Sequence, residues 1–265
     1  MMLLKELSKF IKIYENTKII KVKDNKAYTE SYTITADSIV VATGFPFNKF
    51  RGLYSLKMHQ NKSYVITTKN TLNFKGNVVG SKISDLYFRD YNGSLIIGGN
   101  DIKTGKFNNG FTDLFDFVDK NIDEKVEYRW INQDCITLDD IPYIGRLGLI
   151  KDNIYVATGF NLWGMTGAMI ASTVIKSLIC DDVILYENIF SPSRLYKIAP
   201  LIDNVFTSTI NLLKFNKKRC NHLGCSLIFD DDEKHYECPC HGSKFDSNGK
   251  LIDGPSINDL DIKEN

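Results

Sequence analysis

The chain of 265 residues has no excess of charge, no long apolar run and no export signal. Its 33 basic and 32 acidic residues nearly cancel, which argues against a general attraction to nucleic acid or an anionic membrane surface. No run of about 18 or more apolar residues occurs, so no membrane span is predicted. The N-terminus is charged at Lys5 and lacks an apolar core followed by small residues, unlike a signal peptide. We therefore expect a cytoplasmic protein in a reducing compartment.

Cysteine is scarce too, but four of the six cysteines stand in two short boxes near the C-terminus. The first is Cys-Asn-His-Leu-Gly-Cys over 220–225, and the second is Cys-Pro-Cys-His-Gly-Ser over 238–243. Two thiolates and two imidazoles in such boxes can bind the two irons of a [2Fe-2S] cluster. The same four ligand types can instead bind one zinc ion. The glycine and proline residues of both boxes favour the tight turns that either site needs.

The two boxes resemble those of the Rieske family of iron–sulfur proteins. The resemblance implies four cluster ligands, namely Cys220, His222, Cys238 and His241. It also implies a disulfide between Cys225 and Cys240, two residues for which a zinc site has no use. Ser243 matches the family serine whose hydroxyl bonds a bridging sulfide. Phe245 replaces the tyrosine of the high-potential respiratory members, so we expect a lower potential than theirs.

The remaining residues that can bind metal carry no such pattern. Cys135 and Cys180 stand alone in apolar surroundings and are predicted to be small buried residues. His235 lies outside both boxes and is predicted to be on the surface rather than a ligand. The acidic run over 230–233 is predicted to be a solvated hairpin end.

The first part of the chain alternates strand and helix patterns. Apolar residues at helical spacing predict an N-terminal amphipathic helix packed on a core, and they are Leu3, Leu4, Leu7, Phe10 and Ile11. Short strands follow over 19–36, with a turn at 24–25. The apolar run over 38–41 predicts a buried strand of a parallel sheet covered on both faces, and it ends in Ala-Thr-Gly.

A second strand over 153–158 also ends in Ala-Thr-Gly, and an apolar helix follows it. Gly164, Thr166 and Gly167 would place backbone N–H groups at the start of that helix, where a phosphate or a reduced flavin anion is favoured. The alternative is an ordinary crossover whose helix is apolar because it is buried.

These segments, together with the run from Asp134 to Gly145, resemble the C-terminal part of FAD-dependent oxidoreductases of the D-amino-acid oxidase, glycine oxidase and sarcosine oxidase group. The likeness covers about residues 1–185, and Asp140 replaces the usual glycine of the family signature. It implies FAD as a cofactor. The residues that it places beside FAD are Ile19, Ala42, Thr43, Gly44, Gly159, Trp163, Gly164 and Thr166.

The stretch over about 55–130 is expected to form the strands of a substrate domain. A hairpin is predicted at Asn92-Gly93, and Gly98-Gly99 predicts a close approach of backbone. Residues that can meet a substrate carboxylate or stack on it are Arg89, Lys103, Tyr87 and Tyr91. Each is more often an ordinary strand residue.

The glycine-rich dinucleotide-binding motif G-x-G-x-x-G is missing from the sequence. In the resembled family it precedes the equivalent of residue 1. We therefore expect an incomplete FAD-dependent oxidoreductase domain over 1–186, a linker over 187–200 and a small all-β Rieske domain over 201–265, an α+β chain overall. A truncated or split gene, or a separate chain that supplies the first segment, would account for the gap.

The sequence thus predicts an electron-transferring oxidoreductase. FAD would oxidise a small amine-like substrate, and the cluster would pass single electrons to a redox partner protein or a small acceptor. Two alternatives remain at this point. One is a Rieske electron carrier whose remnant domain binds no flavin, and the other is a non-functional fragment.

Overall fold

The computed structural model describes residues 2–47, 51–69, 72–80, 85–107, 109–149, 152–182, 186–194, 198–214, 218–231 and 233–260. The helices are α1 (Met2–Leu7), α2 (Tyr54–Lys57), α3 (Phe111–Asn121), α4 (Gly164–Ile179), α5 (Glu187–Phe190) and α6 (Ile198–Leu213), with a 3-10 turn over Ser8–Phe10. The strands up to residue 103 are β1 (Lys21–Lys23), β2 (Lys26–Tyr28), β3 (Thr33–Thr35), β4 (Ile39–Val41), β5 (Met58–Lys69), β6 (Asn77–Val79), β7 (Tyr87–Tyr91) and β8 (Ser94–Lys103). The later strands are β9 (Val126–Thr137), β10 (Tyr143–Arg146), β11 (Ile154–Thr158), β12 (Ile228–Asp230), β13 (His235–Glu237), β14 (Lys244–Asp246) and β15 (Leu251–Asp253).

The described strands form four sheets. The orders are β1-β2-β3, β10-β11-β4, β6-β7-β8-β5-β9 and, in the C-terminal region, β12-β13-β14-β15. All neighbouring strands are antiparallel except β11 and β4, which run parallel. The chain is therefore α+β with a small all-strand C-terminal region, and no described helix is long and apolar enough to cross a membrane.

The five-stranded sheet buries one face under α3. Phe111, Leu114 and Val118 stand at helical spacing and pack on Tyr64 and Ile66 of β5. Each such side chain contributes about 1.5–3 kcal/mol when it is fully buried. The predicted close approach of backbone at Gly98 is confirmed, because a Cβ there would lie 2.0 Å from the Tyr87 ring.

Two expectations about the first part of the chain are wrong. The N-terminal helix is only six residues long, and its apolar residues, with those that follow, are exposed: Leu3, Leu4, Leu7, Phe10 and Ile11. Strand β4 is not covered on both faces, since Val41 is buried but Val40 is 44% exposed. Helix α4 likewise buries only one side and exposes Met165 and Met169.

The segment between the two regions is held by specific contacts. Arg194 pairs with Asp139 at 2.7 Å, and its guanidinium lies 4.1 Å from the centre of the Tyr143 ring. Pro192 packs against Gly145, whose Cβ position lies 2.9 Å from the proline ring. Helix α6 starts at residue 198, inside the segment expected as a linker, and residues 195–197 lie outside the described part.

Candidate functional site

The two cysteine and histidine boxes form two loops with the same backbone hydrogen bonds. In the first, the N–H of Gly224 donates to the carbonyl of Cys220 at 2.8 Å, and in the second, that of Gly242 donates to Cys238 at 2.8 Å. Both glycines have positive φ, +82° and +79°. A side chain at either position would be strained, so glycine explains how each loop turns its ligands towards the other.

The two histidines meet with their rings nearly perpendicular. The ring centres of His222 and His241 lie 4.9 Å apart, and each residue is 3% exposed. Nε2 of His241 lies 3.0 Å from the carbonyl oxygen of Ser55. Because a carbonyl only accepts hydrogen bonds, Nε2 carries the proton and Nδ1 holds a lone pair. Nδ1 of His241 is buried without a hydrogen-bond partner among the described residues, and burial lowers the pKa of this ring to about 4. This neutral ring fits a metal ligand.

The thiols of Cys220 and Cys238 lie within hydrogen-bond reach of each other. This bond lowers the pKa of Cys220 to about 7. Burial raises the pKa and opposes this shift, whereas hydrogen bonds from the Ser243 hydroxyl and from the N–H groups of His222 and Leu223 lower it further. The pKa of Cys238 is raised by the same bond and by burial. The first proton is therefore lost easily, and the anionic sulfur that results is the form that binds metal.

The spacing of the four ligand atoms separates the two metal sites that the sequence left open. A single zinc ion holds its ligands about 3.3–3.8 Å apart, given Zn–S and Zn–N bonds of about 2.3 and 2.0 Å. No three of the four candidate ligands, all within the described part of the chain, bring their atoms within 4.8 Å of one another. A two-iron cluster that binds the thiolates and imidazoles on different irons fits this spread better.

Cys225 and Cys240 form the disulfide that the Rieske resemblance implies. Their sulfur atoms are bonded, with 6.6 Å between the Cα atoms, and the bond links the two loops. Ser243 is fully buried, and its hydroxyl accepts a hydrogen bond from the N–H of Ser256 at 2.9 Å. Phe245 is fully buried in the small core behind the loops.

The residues expected beside FAD gather at the carboxyl ends of β4 and β11. Because these strands are parallel neighbours, Gly44 and Gly159 lie at the same edge, and the Thr158 hydroxyl donates to the carbonyl of Gly44. A Cβ at Gly44 would meet nothing within 4 Å, whereas one at Gly159 would lie 2.3 Å from Thr137. The edge therefore has open space beside Gly44, where a ligand can approach the backbone.

The start of α4 lies beyond this edge and leaves backbone donors available. Trp163 occupies the N-cap position without a capping side-chain bond and is 66% exposed. Gly164 again has open space at its Cβ position, and the Thr166 hydroxyl donates to the carbonyl of Trp163 at 3.1 Å. The first N–H groups of a helix have no partner within it, so this start suits an anionic group of FAD.

Two further residues have clear local roles: Ile19, which was expected beside FAD, and Asp140, which replaces the glycine of the family signature. Ile19 packs against the core that holds β4 and β11. Asp140 has φ +59°, the left-handed region that favours glycine. This conformation explains why the family signature has glycine there, and aspartate is among the residues that tolerate it.

A cavity of about 520 Å³ lies beside the segment that leads to Asp140. His59 and Asn61 of β5 and Lys103 of β8 line it together with Asp140. The Nζ of Lys103 donates to Asn204 of α6 at 3.1 Å. Of the four residues proposed to meet a substrate, Lys103 alone lines this cavity. Arg89 and Tyr91 are exposed on β7, and burial raises the pKa of Tyr87 to about 12, so its phenol stays neutral.

The C-terminal sheet docks on the five-stranded sheet through a buried group of charges that the sequence did not reveal. The Nζ of Lys62 lies 3.0 Å from a carboxylate oxygen of Asp230 and 3.1 Å from Glu237. His235 is 8% exposed and its Nε2 lies 2.9 Å from Glu237, so its predicted place on the surface is wrong. Asp230 is buried as well, so the expectation of a solvated acidic end is wrong for this residue, whereas the Asp231 side chain is 86% exposed; Asp232 lies outside the described residues.

The other cysteines differ from expectation in one case. Cys135 is partly buried, and burial raises the pKa of its thiol. Cys180 is exposed at the end of α4, so the prediction that it is buried is wrong. The helix ends at Ile179, one residue before it, and places this side chain outside the core.

Comparison with known proteins finds two families along the chain. The family described as "FAD dependent oxidoreductase" matches residues 3–178, and "Rieske [2Fe-2S] domain" matches residues 206–263. The putative Rieske 2Fe-2S iron-sulfur protein YhfW of Bacillus subtilis is 28% identical over 94% of this chain and 60% of its own length. The cytochrome b6-f complex iron-sulfur subunit of Prochlorococcus marinus is 49% identical over 14% of this chain and 21% of its own.

The fold of the first part has solved counterparts. The glycine oxidase of Geobacillus kaustophilus superposes with a TM-score of 0.57 at 16% identity, over 69% of this chain and 54% of its own. The predicted resemblance to both families is confirmed. The chain spans 60% of the length of the Bacillus relative, in which one chain matches both regions. The expected separate chain that supplies an FAD-binding segment therefore finds no support.

Proposed function

The chain belongs to the FAD dependent oxidoreductase family and carries a Rieske [2Fe-2S] domain behind it, and from this premise we propose that it oxidises a small amine and delivers the electrons singly to a redox partner. The family implies FAD, and the Rieske domain implies a [2Fe-2S] cluster. FAD takes two electrons from an organic substrate, and the cluster carries one at a time.

The observation that carries the proposal is the convergence of the two ligand loops. Cys220 and Cys238 supply adjacent sulfur atoms, one of them readily ionised. His241 presents Nδ1 as a buried lone pair, and the ring of His222 lies against it. These four residues would hold the cluster. Burial keeps the imidazole of His241 neutral, and all four residues are shielded from water.

FAD would lie along the edge formed by Gly44, Gly159 and the start of α4. The open space at Gly44 and Gly164 supports this, because a bulky group can approach the backbone at both positions. The backbone N–H groups that begin α4 would hold an anionic part of the flavin. The chain residues bind and orient the cofactor here, and we assign none of them a proton-transfer step.

The cavity beside Asp140 is the proposed substrate site. Lys103 supplies a cation that can bind a carboxylate, and Asp101 supplies a carboxylate that can face an amine. Several proteins of similar fold act on amino acids by their names, among them glycine oxidase and L-proline dehydrogenase. We therefore propose a small amino acid or a related amine as the substrate.

Spectra of the purified chain, reconstituted with iron, sulfide and FAD, test the proposal. We expect flavin absorbance bands together with the electron paramagnetic resonance (EPR) signal of a reduced Rieske cluster. A panel of amino acids with ferricyanide as acceptor then tests the substrate class, with Lys103→Met against Lys69→Met as its control. Lys69 is exposed at the end of β5, the strand that pairs with β8.

The other outcomes distinguish the alternatives. A Rieske signal without bound flavin would make the chain a simple electron carrier. Neither signal would make it a non-functional fragment. A colourless protein that binds one zinc per chain would contradict the assignment of a cluster to Cys220, His222, Cys238 and His241.

A further inference from the structure

One side of the cluster site carries both ligand histidines, and we call this side the histidine edge. Residues from an earlier part of the same chain cover it. The ring of Phe45 lies edge-on to both imidazoles, with centre distances of 6.2 Å to His222 and 5.9 Å to His241. The carbonyl of Ser55 accepts the Nε2–H of His241 at 3.0 Å. Both imidazoles are buried, so an external molecule cannot reach them while this contact persists.

Two glutamines of the five-stranded sheet hold the second ligand loop in this position. The Nε2 of Gln60 donates to the carbonyl of His241 at 2.9 Å, and that of Gln133 donates to Gly242 at 2.9 Å. The fit is close, because a Cβ at Gly242 would lie 2.7 Å from the Gln60 side chain. A Cβ at Gly105 would similarly lie 2.5 Å from Pro239 of the loop.

Phe45 joins this closed edge to the proposed flavin site. It directly follows Gly44, which lies beside the open space at the carboxyl end of β4. Its side chain is 5% exposed and belongs to the core formed with Val41 and Met58. One residue thus connects the backbone at the flavin-facing edge with both imidazoles.

We propose that the Rieske domain is a fixed relay, closed at its histidine edge, and that Phe45 is the positioning residue across which electrons enter the cluster. This inference rests on the proposed function. The cluster would supply one-electron transfer at this site, held by Cys220, His222, Cys238 and His241. The two electrons of a reduced flavin would leave in two single transfers, each balanced by an external one-electron acceptor at another face, while the flavin protons would go to solvent.

Chemical modification of the histidines tests the closed edge without any flavin. Diethyl pyrocarbonate acylates accessible imidazole nitrogens, and peptide mass spectrometry of the cluster-loaded chain measures each histidine separately. We expect His222 and His241 to react at least about tenfold more slowly than His59, which lines the open cavity, because the domains must first separate locally. Equal rates in the wild-type chain would overturn the closed edge.

Two variants test which contacts close the edge. The double substitution Gln60→Ala and Gln133→Ala, and separately Phe45→Leu, should each speed the modification of both ligand histidines. Phe111→Leu is the matched control, since Phe111 is 7% exposed and packs from the start of α3 on Tyr64 of β5. If Phe111→Leu speeds the modification of the ligand histidines as much as Phe45→Leu does, the effect is a general loss of stability and the role of Phe45 is refuted.

Electron entry is measured on the FAD-loaded chain after rapid photoreduction of the flavin. Phe45→Leu should slow the reduction of the cluster by about tenfold, because the ring atoms that span the gap are lost. The EPR spectrum after reduction with dithionite should not change, and Phe111→Leu should keep the wild-type rate. An unchanged rate in Phe45→Leu overturns the entry role. If the chain binds no FAD, both the proposed function and the role of Phe45 in electron entry are overturned. The modification rates of His222 and His241 need no flavin, so they still test whether the histidine edge is closed.

Discussion

Replacing Lys62 with methionine removes the cation that contacts both Asp230 and Glu237 in a buried group of charges, while keeping a side chain of similar length. The ammonium lies 3.0 Å from Asp230 and 3.1 Å from Glu237, and the side chains are 0%, 5% and 0% exposed. Glu237 also accepts the N–H of Gly105 at 2.9 Å. After the substitution, two carboxylates remain buried with one positive neighbour fewer.

The expected cost follows from the burial of both partners. Breaking a buried ion pair by removing one member typically costs about 3–5 kcal/mol, because the remaining charge is left without compensation. Lys69→Met is the matched control on the same strand, and its exposed side chain should change the free energy of unfolding by less than about 0.5 kcal/mol. The double variant with Glu237→Gln should recover part of the loss, since it removes the uncompensated charge.

The pH dependence gives an independent check. Burial opposes the ionisation of Glu237, but the hydrogen bond from His235 and the charges of Lys62 and Lys244 outweigh it and lower the pKa to about 2. A depressed folded-state pKa contributes stability that is complete above the unfolded value of about 4.5 and is lost as the pH falls towards 2. In Lys62→Met the folded-state pKa of Glu237 should lie closer to its unfolded value, so this acid-dependent loss of stability should be smaller and should end at a higher pH.

Urea unfolding of the cluster-loaded chain, followed by visible circular dichroism of the cluster and by tryptophan fluorescence, measures both effects. The free energy of unfolding should be compared at pH 7 and between pH 5 and pH 3. If Lys62→Met costs no more than Lys69→Met at pH 7, or leaves the acid profile unchanged, the buried charges do not hold the two regions together.

Three further substitutions test separate contacts. Cys225→Ser should cost about 3 kcal/mol, because the disulfide closes a loop with a sequence separation of 15, and a thermal melt of the cluster signal compared with Cys180→Ser measures this. Gly105→Ala should destabilise the chain in urea by about 1–3 kcal/mol more than Gly93→Ala, since both have φ +81° but only Gly105 lacks room for a Cβ. Asn204→Ala should cost about 1–3 kcal/mol in the same assay, because three backbone carbonyls lose their donor; a neutral result would contradict that bridging role.

Most elements of the fold with a strong local pattern were predictable. The hairpin at Asn92-Gly93 and the strand that ends at Thr158 both agree with the structure, because turn chemistry and periodicity are local signals. The ends and faces of elements were less predictable. The N-terminal helix and Cys180 were expected to be buried and are exposed, since burial depends on what packs against an apolar residue.

The contacts between the two regions left no signal that sequence reasoning could use. Lys62 is an ordinary lysine in a strand sequence, and nothing beside it shows that two carboxylates of a distant hairpin neutralise it. His235 was predicted on the surface, and its buried contact with Glu237 left no signal in the local sequence. In the sequence, Gln60 and Gln133 look like ordinary strand residues. Their role depends on backbone carbonyls of the distant ligand loop, which accept their hydrogen bonds.

The sequence by itself determined which residues form the expected ligand set of the two loops. Ligand type, spacing and turn-forming residues lie within six positions in each box, so no distant contact is needed to recognise Cys220, His222, Cys238 and His241 as a set. Only the tertiary structure decided what faces that set. The bond from Gln60 to the carbonyl of His241 joins residues 181 positions apart, and the bond from His241 to Ser55 joins residues 186 positions apart. Contacts of that separation arise from the packing of whole sheets, and they place Phe45 beside both imidazoles.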